Sequence, residues 1–385
     1  MILSEVAAKL IEHNASATVH KYRSAGDASC HGGGKVEEHI HDFSCYSNVS
    51  ADLEDWDIWA ASIPELTGKI KRRAYVYVPN SYKRDPRRRY PVLYMFDGHN
   101  VFFDSDATYG KSWGMNRYMS MTRTPLIIVA VECNHEGNSR LQEYSPVDFE
   151  NASLGKIQGK GKVYMQWLVN TLKPFIDSHY RTMPGREHTM IAGSSMGGLS
   201  SFQIAQSGQF PVIAQVAYCP VIDLFKQAYC NPWTTASYQR SRIASYFGFA
   251  GTAPAFTNNR YPSAQEIEFF RQNADKITTY SPILRNVIDG DIAALFNIIP
   301  TSPTATSAEE AALYAGLTAT HPNPLLVFHN TDDGTVSYRY SQYFVEMVNR
   351  SGQEAVLRTF TSGNHNAWAN GENKTVQGIN GTITI

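Results

Sequence analysis

Gly193-Ser194-Ser195-Met196-Gly197-Gly198 is the stretch that decides the fold of this chain. The apolar run Thr189-Met190-Ile191-Ala192 leads into it and the helix-compatible run Leu199 to Gln206 follows, which reads as strand, sharp turn and helix. In a Gly-x-Ser-x-Gly turn the backbone bends so tightly that glycine is needed at the flanks. The bend pushes the serine hydroxyl out above the sheet and leaves the next backbone N–H free to bind an anion. Ser195 is therefore the candidate nucleophile. Ser194 lies one residue out of phase with both glycines and reads as a small residue packed beneath the turn.

A serine hydroxyl is protonated at neutral pH, so it needs a histidine to take its proton and an acid to orient that histidine. Downstream, Pro324 to His329 reads as a buried strand that ends in the polar turn Asn330-Thr331-Asp332-Asp333-Gly334-Thr335-Val336, at a carboxyl-terminal sheet edge. Asp333 is favoured as the acid over Asp332, which then reads as a solvated turn residue. The next strand, Ala355 to Phe360, runs into Thr361-Ser362-Gly363-Asn364-His365-Asn366-Ala367-Trp368, and His365 in that loop is the candidate general base. An oxyanion formed on attack needs two donors. One is the Met196 N–H. The other is assigned to the N–H of His99, in the loop Asp97-Gly98-His99-Asn100 that closes the strand Tyr90 to Phe96; Asp97 reads as a structural turn residue.

Outward from these motifs, Arg72 to Pro79, Leu126 to Val131 and Val212 to Tyr218 read as further strands. Val163 to His179 and Tyr340 to Asn349 carry apolar residues at helical spacing. Strand and helix alternate, and the near-continuous apolar strands predict a mostly parallel, doubly wound α/β sheet. Residues 69–222 and 322–385 are expected to form the core. Residues 1–68 are expected to form an extension packed on the body, with helical spacing at Ile2 to Ile11. Residues 223–321, rich in aromatics, Asn, Pro and Thr and with helical patches at Ala264 to Asn273 and Ser307 to Tyr314, are too long for a simple crossover. They are expected to form a cap over the nucleophile. Within this stretch Tyr229, Trp233, Tyr246 and Phe247 are candidates for a wall that stacks on a flat substrate, or for packing of the cap onto the body. Trp113, after the oxyanion loop, and Trp368, after His365, are further pocket candidates.

A resemblance joins these readings. Arg73-Ala74-Tyr75-Val76-Tyr77-Val78-Pro79, Tyr94 to Asp104, Glu143-Tyr144-Ser145-Pro146, Leu172 to Asp177 and the Ser195 turn together resemble the esterase D and enterochelin esterase group of α/β-hydrolases, to which many feruloyl and acetylxylan esterases belong. From Val216 onward the chain is more similar to peptidase-like and cell-wall-esterase-like α/β-hydrolases, whose acid loop resembles Thr331 to Val336, with Asp333 three residues before Val336. In the esterase D group an acidic residue commonly follows the His-Asn pair; here Ala367-Trp368 follows. The resemblance implies an α/β-hydrolase fold with a cap insertion and a serine hydrolase of carboxylic esters, with a plant cell-wall ester (feruloyl or acetyl xylan) as the expected substrate. A peptidase, or a hydrolase of siderophore or thiol esters, is the alternative. A carbohydrate-binding protein without turnover is a further one.

Bulk composition excludes little. With 34 basic and 35 acidic residues there is no electrostatic footprint for nucleic acid or an anionic membrane. The expected partner is a small-molecule or oligosaccharide ester. No cofactor is expected. No stretch approaches the roughly 20 apolar residues of a transmembrane span, and Met1 to Leu10 carries Glu5 inside its apolar run without a basic lead. Five cysteines without Cys-x-x-Cys spacing read as reduced thiols. The expected compartment is therefore the cytoplasm, or the exterior or periplasm if a leader has been removed. Cys30, His31, His39, His41 and Cys45 match no standard zinc spacing, so no metal is expected there.

Overall fold

The computed structural model describes residues 43–45, 56–68, 70–146, 155–208, 212–223, 263–281, 308–361 and 363–365, with shorter stretches between and beyond them. Its centre is a nine-stranded sheet. In chain order the strands are β1 (Phe43–Cys45), β2 (Trp56–Ser62), β3 (Lys71–Tyr77), β4 (Val92–Met95), β5 (Ile127–Val131), β6 (Thr189–Ser194), β7 (Ala214–Tyr218), β8 (Leu325–Asn330) and β9 (Ala355–Phe360). Their order across the sheet is β1-β2-β3-β5-β4-β6-β7-β8-β9. From β5 to β9 every pairing is parallel, and β1, β2 and β3 join antiparallel at one side.

Successive residues of these strands bury into opposite faces, which is why the strands read as continuous apolar runs. Tyr94, Ile191, Ala217 and Val327 enter one core with Leu199, Phe202 and Phe344. Leu93, Met95, Met190, Val216 and Phe328 enter the other with Phe102, Met115 and Met119. The helices that position the site are α1 (Ser139–Tyr144), α2 (Gly161–Trp167), α3 (Lys173–His179) and α4 (Met196–Ser207). The helix expected over 163–179 passes through a π turn at Leu168–Leu172 just before Pro174, which has no N–H to donate to the preceding turn.

Two segments differ in part from the sequence expectation. The stretch read as an N-terminal extension contributes β2 to the sheet itself, where Trp59 is buried and donates its indole N–H to Tyr180 Oη at 2.7 Å. In the stretch read as a cap, α5 (Ala264–Gln272), α6 (Ala274–Tyr280) and α7 (Ala308–Ala315) send Phe269, Phe270, Ile277 and Tyr314 into the same core as Phe202 and Phe344. These helices pack on the body. Tyr229, Trp233, Tyr246 and Phe247 lie outside the described residues, as does the helix expected at Ile2 to Ile11. The last helix before β9 is α8 (Tyr338–Arg350), with seven buried residues on its inner face. Among the described residues no helix is long and apolar enough to cross a membrane.

Candidate active site

Ser195 stands between β6 and α4 at φ 55° and ψ −120°, a conformation that non-glycine residues rarely adopt. The neighbouring glycines make the bend possible. A Cβ on Gly193 would lie 2.2 Å from the Gly197 carbonyl oxygen, and one on Gly198 would lie 2.7 Å from Cβ of Pro220. Backbone bonds fix the turn: the Ser195 N–H donates to the Tyr218 carbonyl at 3.0 Å, and the Ser195 carbonyl accepts from Leu199 and Val221, each at 3.2 Å. Ser194 is buried beneath it. Among the described residues the Ser195 hydroxyl and the Met196 N–H have no hydrogen-bond partner.

One strand over, β4 ends in Asp97 at φ 56° and a single 3₁₀ turn, Gly98–Asn100. A Cβ on Gly98 would meet the Ala130 carbonyl oxygen at 2.3 Å, so only glycine lets this turn press against β5. Arg140 of α1 grips both carboxylate oxygens of Asp97 at 2.7 Å, and the Asp97 N–H donates to Tyr144 Oη at 3.1 Å. Burial opposes the Asp97 charge, but Arg140 outweighs it and holds the carboxyl below its ordinary range. Asp97 is thus a structural residue that sets the turn. The His99 N–H has no partner among the described residues, and burial lowers the His99 imidazole to about 4, so the ring is neutral at neutral pH. Trp113, half-buried, donates its backbone N–H to the Asn100 carbonyl at 2.7 Å. Trp233 and Trp368 lie outside the described residues.

On the other side of β6 the ends of β8 and β9 bring acid and base into contact. Asp333 is fully buried, and its Oδ2 accepts from His365 Nδ1 at 2.7 Å. Its Oδ1 accepts the N–H groups of Thr335 (2.9 Å) and Val336 (2.8 Å), which gives the three-residue spacing to Val336 a physical reason. Burial pushes the carboxyl up, but hydrogen bonds from His329 and His365 overcome it and hold it well below the usual carboxylate range. An ionised Asp333 fixes the proton of His365 on Nδ1 and leaves Nε2 as the acceptor. In this structure the Ser195 hydroxyl makes no hydrogen bond to that imidazole; such contacts are often long before substrate binds.

Three neighbours were not legible as site residues. His329, fully buried on β8, places Nε2 3.0 Å from the Val336 carbonyl and 3.3 Å from Asp333 Oδ2, while Nδ1 lies 2.8 Å from Ser341 Oγ. Because a carbonyl can only accept, Nε2 carries the proton. Cys219, at φ 42° just past β7, has its thiol within 4.8 Å of the nearest Asp333 and His365 atoms, and burial raises its pKa well above the ordinary thiol value. Asp332 is the third and corrects an expectation. It is not merely solvated, because its carboxylate accepts the N–H groups of Gly363 (2.9 Å) and Asn364 (3.0 Å). Asn364 answers from the other loop, accepting the Gly334 N–H at 2.9 Å. The acid loop and the histidine loop are thereby clasped from both sides.

Residues 66–240 match the Esterase family model, described as "Putative esterase". The chain is similar to a solved ferulic acid esterase at 17% identity, covering 81% of this chain and 90% of that one with a TM-score of 0.43. It is similar to an S-formylglutathione hydrolase from Agrobacterium tumefaciens at 14% identity, 81% and 89% coverage and a TM-score of 0.45. An IroE-like serine hydrolase from Shewanella oneidensis matches at 12% identity, 82% and 75% coverage and a TM-score of 0.44. The family match begins before β3 and carries through the Ser195 turn. Over residues 66–240 the chain is thus similar to the esterase family model, and it carries that match on a mostly parallel α/β sheet with a strained serine turn after β6.

Proposed function

We propose that Ser195, His365 and Asp333 hydrolyse a carboxylic ester through an acyl-enzyme, with the His99 and Met196 N–H groups as the oxyanion hole. The observation that carries this reading is the strained Ser195 turn after β6 together with the buried Asp333–His365 pair, at 2.7 Å, two strands away at the ends of β8 and β9. Ser195 Oγ attacks the ester carbonyl and its proton passes to His365 Nε2, whose imidazolium is stabilised by Asp333. The two N–H groups hold the tetrahedral oxygen, and the alcohol leaves with the proton from His365. Water then adds to the acyl-enzyme by the same route and releases the acid.

The substrate we propose is a plant cell-wall ester, a feruloyl or acetyl ester of xylan. The motif resemblance from Arg73 to the Ser195 turn supports it, as does the aromatic content of the long insertion. Trp113, Trp233 and Trp368 are the proposed substrate-contacting residues, with the insertion as a cap over them. Ser195→Ala should reduce turnover of p-nitrophenyl acetate by at least about a hundredfold; an unchanged rate overturns the nucleophile assignment. Feruloylated arabinoxylan fragments, acetylated xylan and dipeptide amides, offered side by side, test the substrate. The peptidase-like acid loop favours amides as a second reading, and release from amides alone would establish it over the first.

A further inference from the structure

The loops after β4 and β5 hold a second group of chemically competent side chains that the hydrolytic reaction does not use. His99, Cys133 and His135 each present one ligand atom, and these atoms lie within 4.8 Å of one another. Cys133 is a free, buried thiol two residues past β5, in the loop that leads to Asn138, and His135 in the same loop is exposed. His99 comes from the 3₁₀ turn, which Gly98 seats directly on the end of β5.

The wiring of the two imidazoles is that of metal ligands. His99 is 2% exposed; its Nε2 lies 3.0 Å from Thr108 Oγ1, and its Nδ1 is buried with no hydrogen-bond partner among the described residues. His135 places Nε2 3.0 Å from Glu132 Oε1. Each ring thus has one nitrogen at hydrogen-bond distance from an oxygen, and in His99 the other nitrogen remains for a cation, the arrangement in which outer oxygens fix the tautomer and aim the ligand. The positive charges nearby are already paired, Arg140 with both oxygens of Asp97 and Arg73 with Glu132 and Asp106.

The geometry points to a binding site for a borderline-soft divalent cation, Zn²⁺ by its chemistry, at His99, Cys133 and His135. Two imidazoles and a thiol select such an ion over Mg²⁺ or Ca²⁺, which prefer oxygen ligands. Bonds of about 2.0 Å to nitrogen and 2.3 Å to sulfur imply ligand separations near about 3.5 Å, so small side-chain rotations close the site. Cys133 gives its proton to solvent as the metal–sulfur bond forms. Three protein ligands leave the fourth position to water. The ion would tie the turn that carries the His99 N–H to the loop after β5.

Cobalt is the probe that reads this directly. Titrating Co²⁺ into the reduced full-length protein should produce a thiolate-to-cobalt charge-transfer band in the near ultraviolet that saturates at one equivalent and is displaced by Zn²⁺. Cys133→Ser should abolish the band, and His135→Ala, at an exposed position, should weaken binding at least about tenfold. Cys219→Ser should keep the band, because the Cys219 cluster belongs to the hydrolytic site. Matching thermal melts would show that each variant is folded. No band in the wild-type protein, a band that survives Cys133→Ser, or a band lost with Cys219→Ser would overturn the site.

Discussion

The acid turn shows how much two adjacent, identical residue types can differ. Asp333 is buried and takes four N–H groups, two from the backbone and two from His365 and His329, whereas Asp332 faces outward and holds the histidine loop by its backbone. Asp333→Asn should lower kcat on the order of 10⁴-fold, because an amide can favour the wrong His365 tautomer. Asp332→Ala acts only through loop position and should lower kcat by about ten- to a hundredfold. Asp332→Asn, which can still accept from the loop, should recover part of that loss. Equal losses for the Asp332 and Asp333 variants would contradict the division of roles. The places of Ser195, His365 and Asp333 in turns and loops that follow apolar strands could be read from motif and order. The neighbours could not: His329 is the last letter of an apolar run, and Cys219 follows β7 without any motif. Their relation to Asp333 exists only once β7, β8 and β9 are paired.

At the scale of elements, the architecture depends on a few close backbone approaches at the carboxyl ends of β4 and β6. Gly193→Ala would force a Cβ to within 2.2 Å of the Gly197 carbonyl, and Gly98→Ala to within 2.3 Å of the Ala130 carbonyl. Neither obstacle is a flexible side-chain end, so each variant should lose at least about 2 kcal/mol of stability by urea denaturation. Gly352, at φ 82° with open space around it, is the comparison: there alanine meets backbone strain but no clash, and the loss should be smaller. Equal losses at all three positions would show that steric approach is not what fixes the turns. The parallel strands were legible because burial on both faces makes them continuous apolar words. β2 was not, although Trp56-Asp57-Ile58-Trp59-Ala60 is rich in strand-forming residues, because its buried Asp57 breaks the pattern. That carboxylate accepts from Tyr180 Oη at 2.7 Å, a partner far along the chain that no local reading supplies.

Over the whole molecule, two buried histidines should make stability depend on pH well above the carboxylate range. Burial lowers His99 to about 4 and His321 to about 3, and neither ring nitrogen of His321 has a hydrogen-bond partner among the described residues. In the unfolded chain both take up a proton near about 6.5, so below that pH the unfolded state binds more protons than the folded one. Stability should therefore fall as pH drops from about 6.5 toward 4, by on the order of 1 kcal/mol per pH unit for each histidine. His321→Leu should flatten that slope by about half; a stability that stays constant from pH 7 to 5 would contradict the two neutral imidazoles. Asp333 adds to acid sensitivity only lower down. Its folded-state pKa is depressed, so its contribution is intact above about 4 and is lost as pH falls further.

The central claim is that one hydroxyl, on the turn between β6 and α4, is activated by an imidazole reaching it from the loop after β9. Fluorophosphonate labelling followed by peptide mass mapping tests this most directly. A single adduct on Ser195 is predicted, formed at least about a hundredfold more slowly in His365→Ala and absent in Ser195→Ala. An adduct on any other residue, or labelling of Ser195 at an unchanged rate without His365, would contradict it.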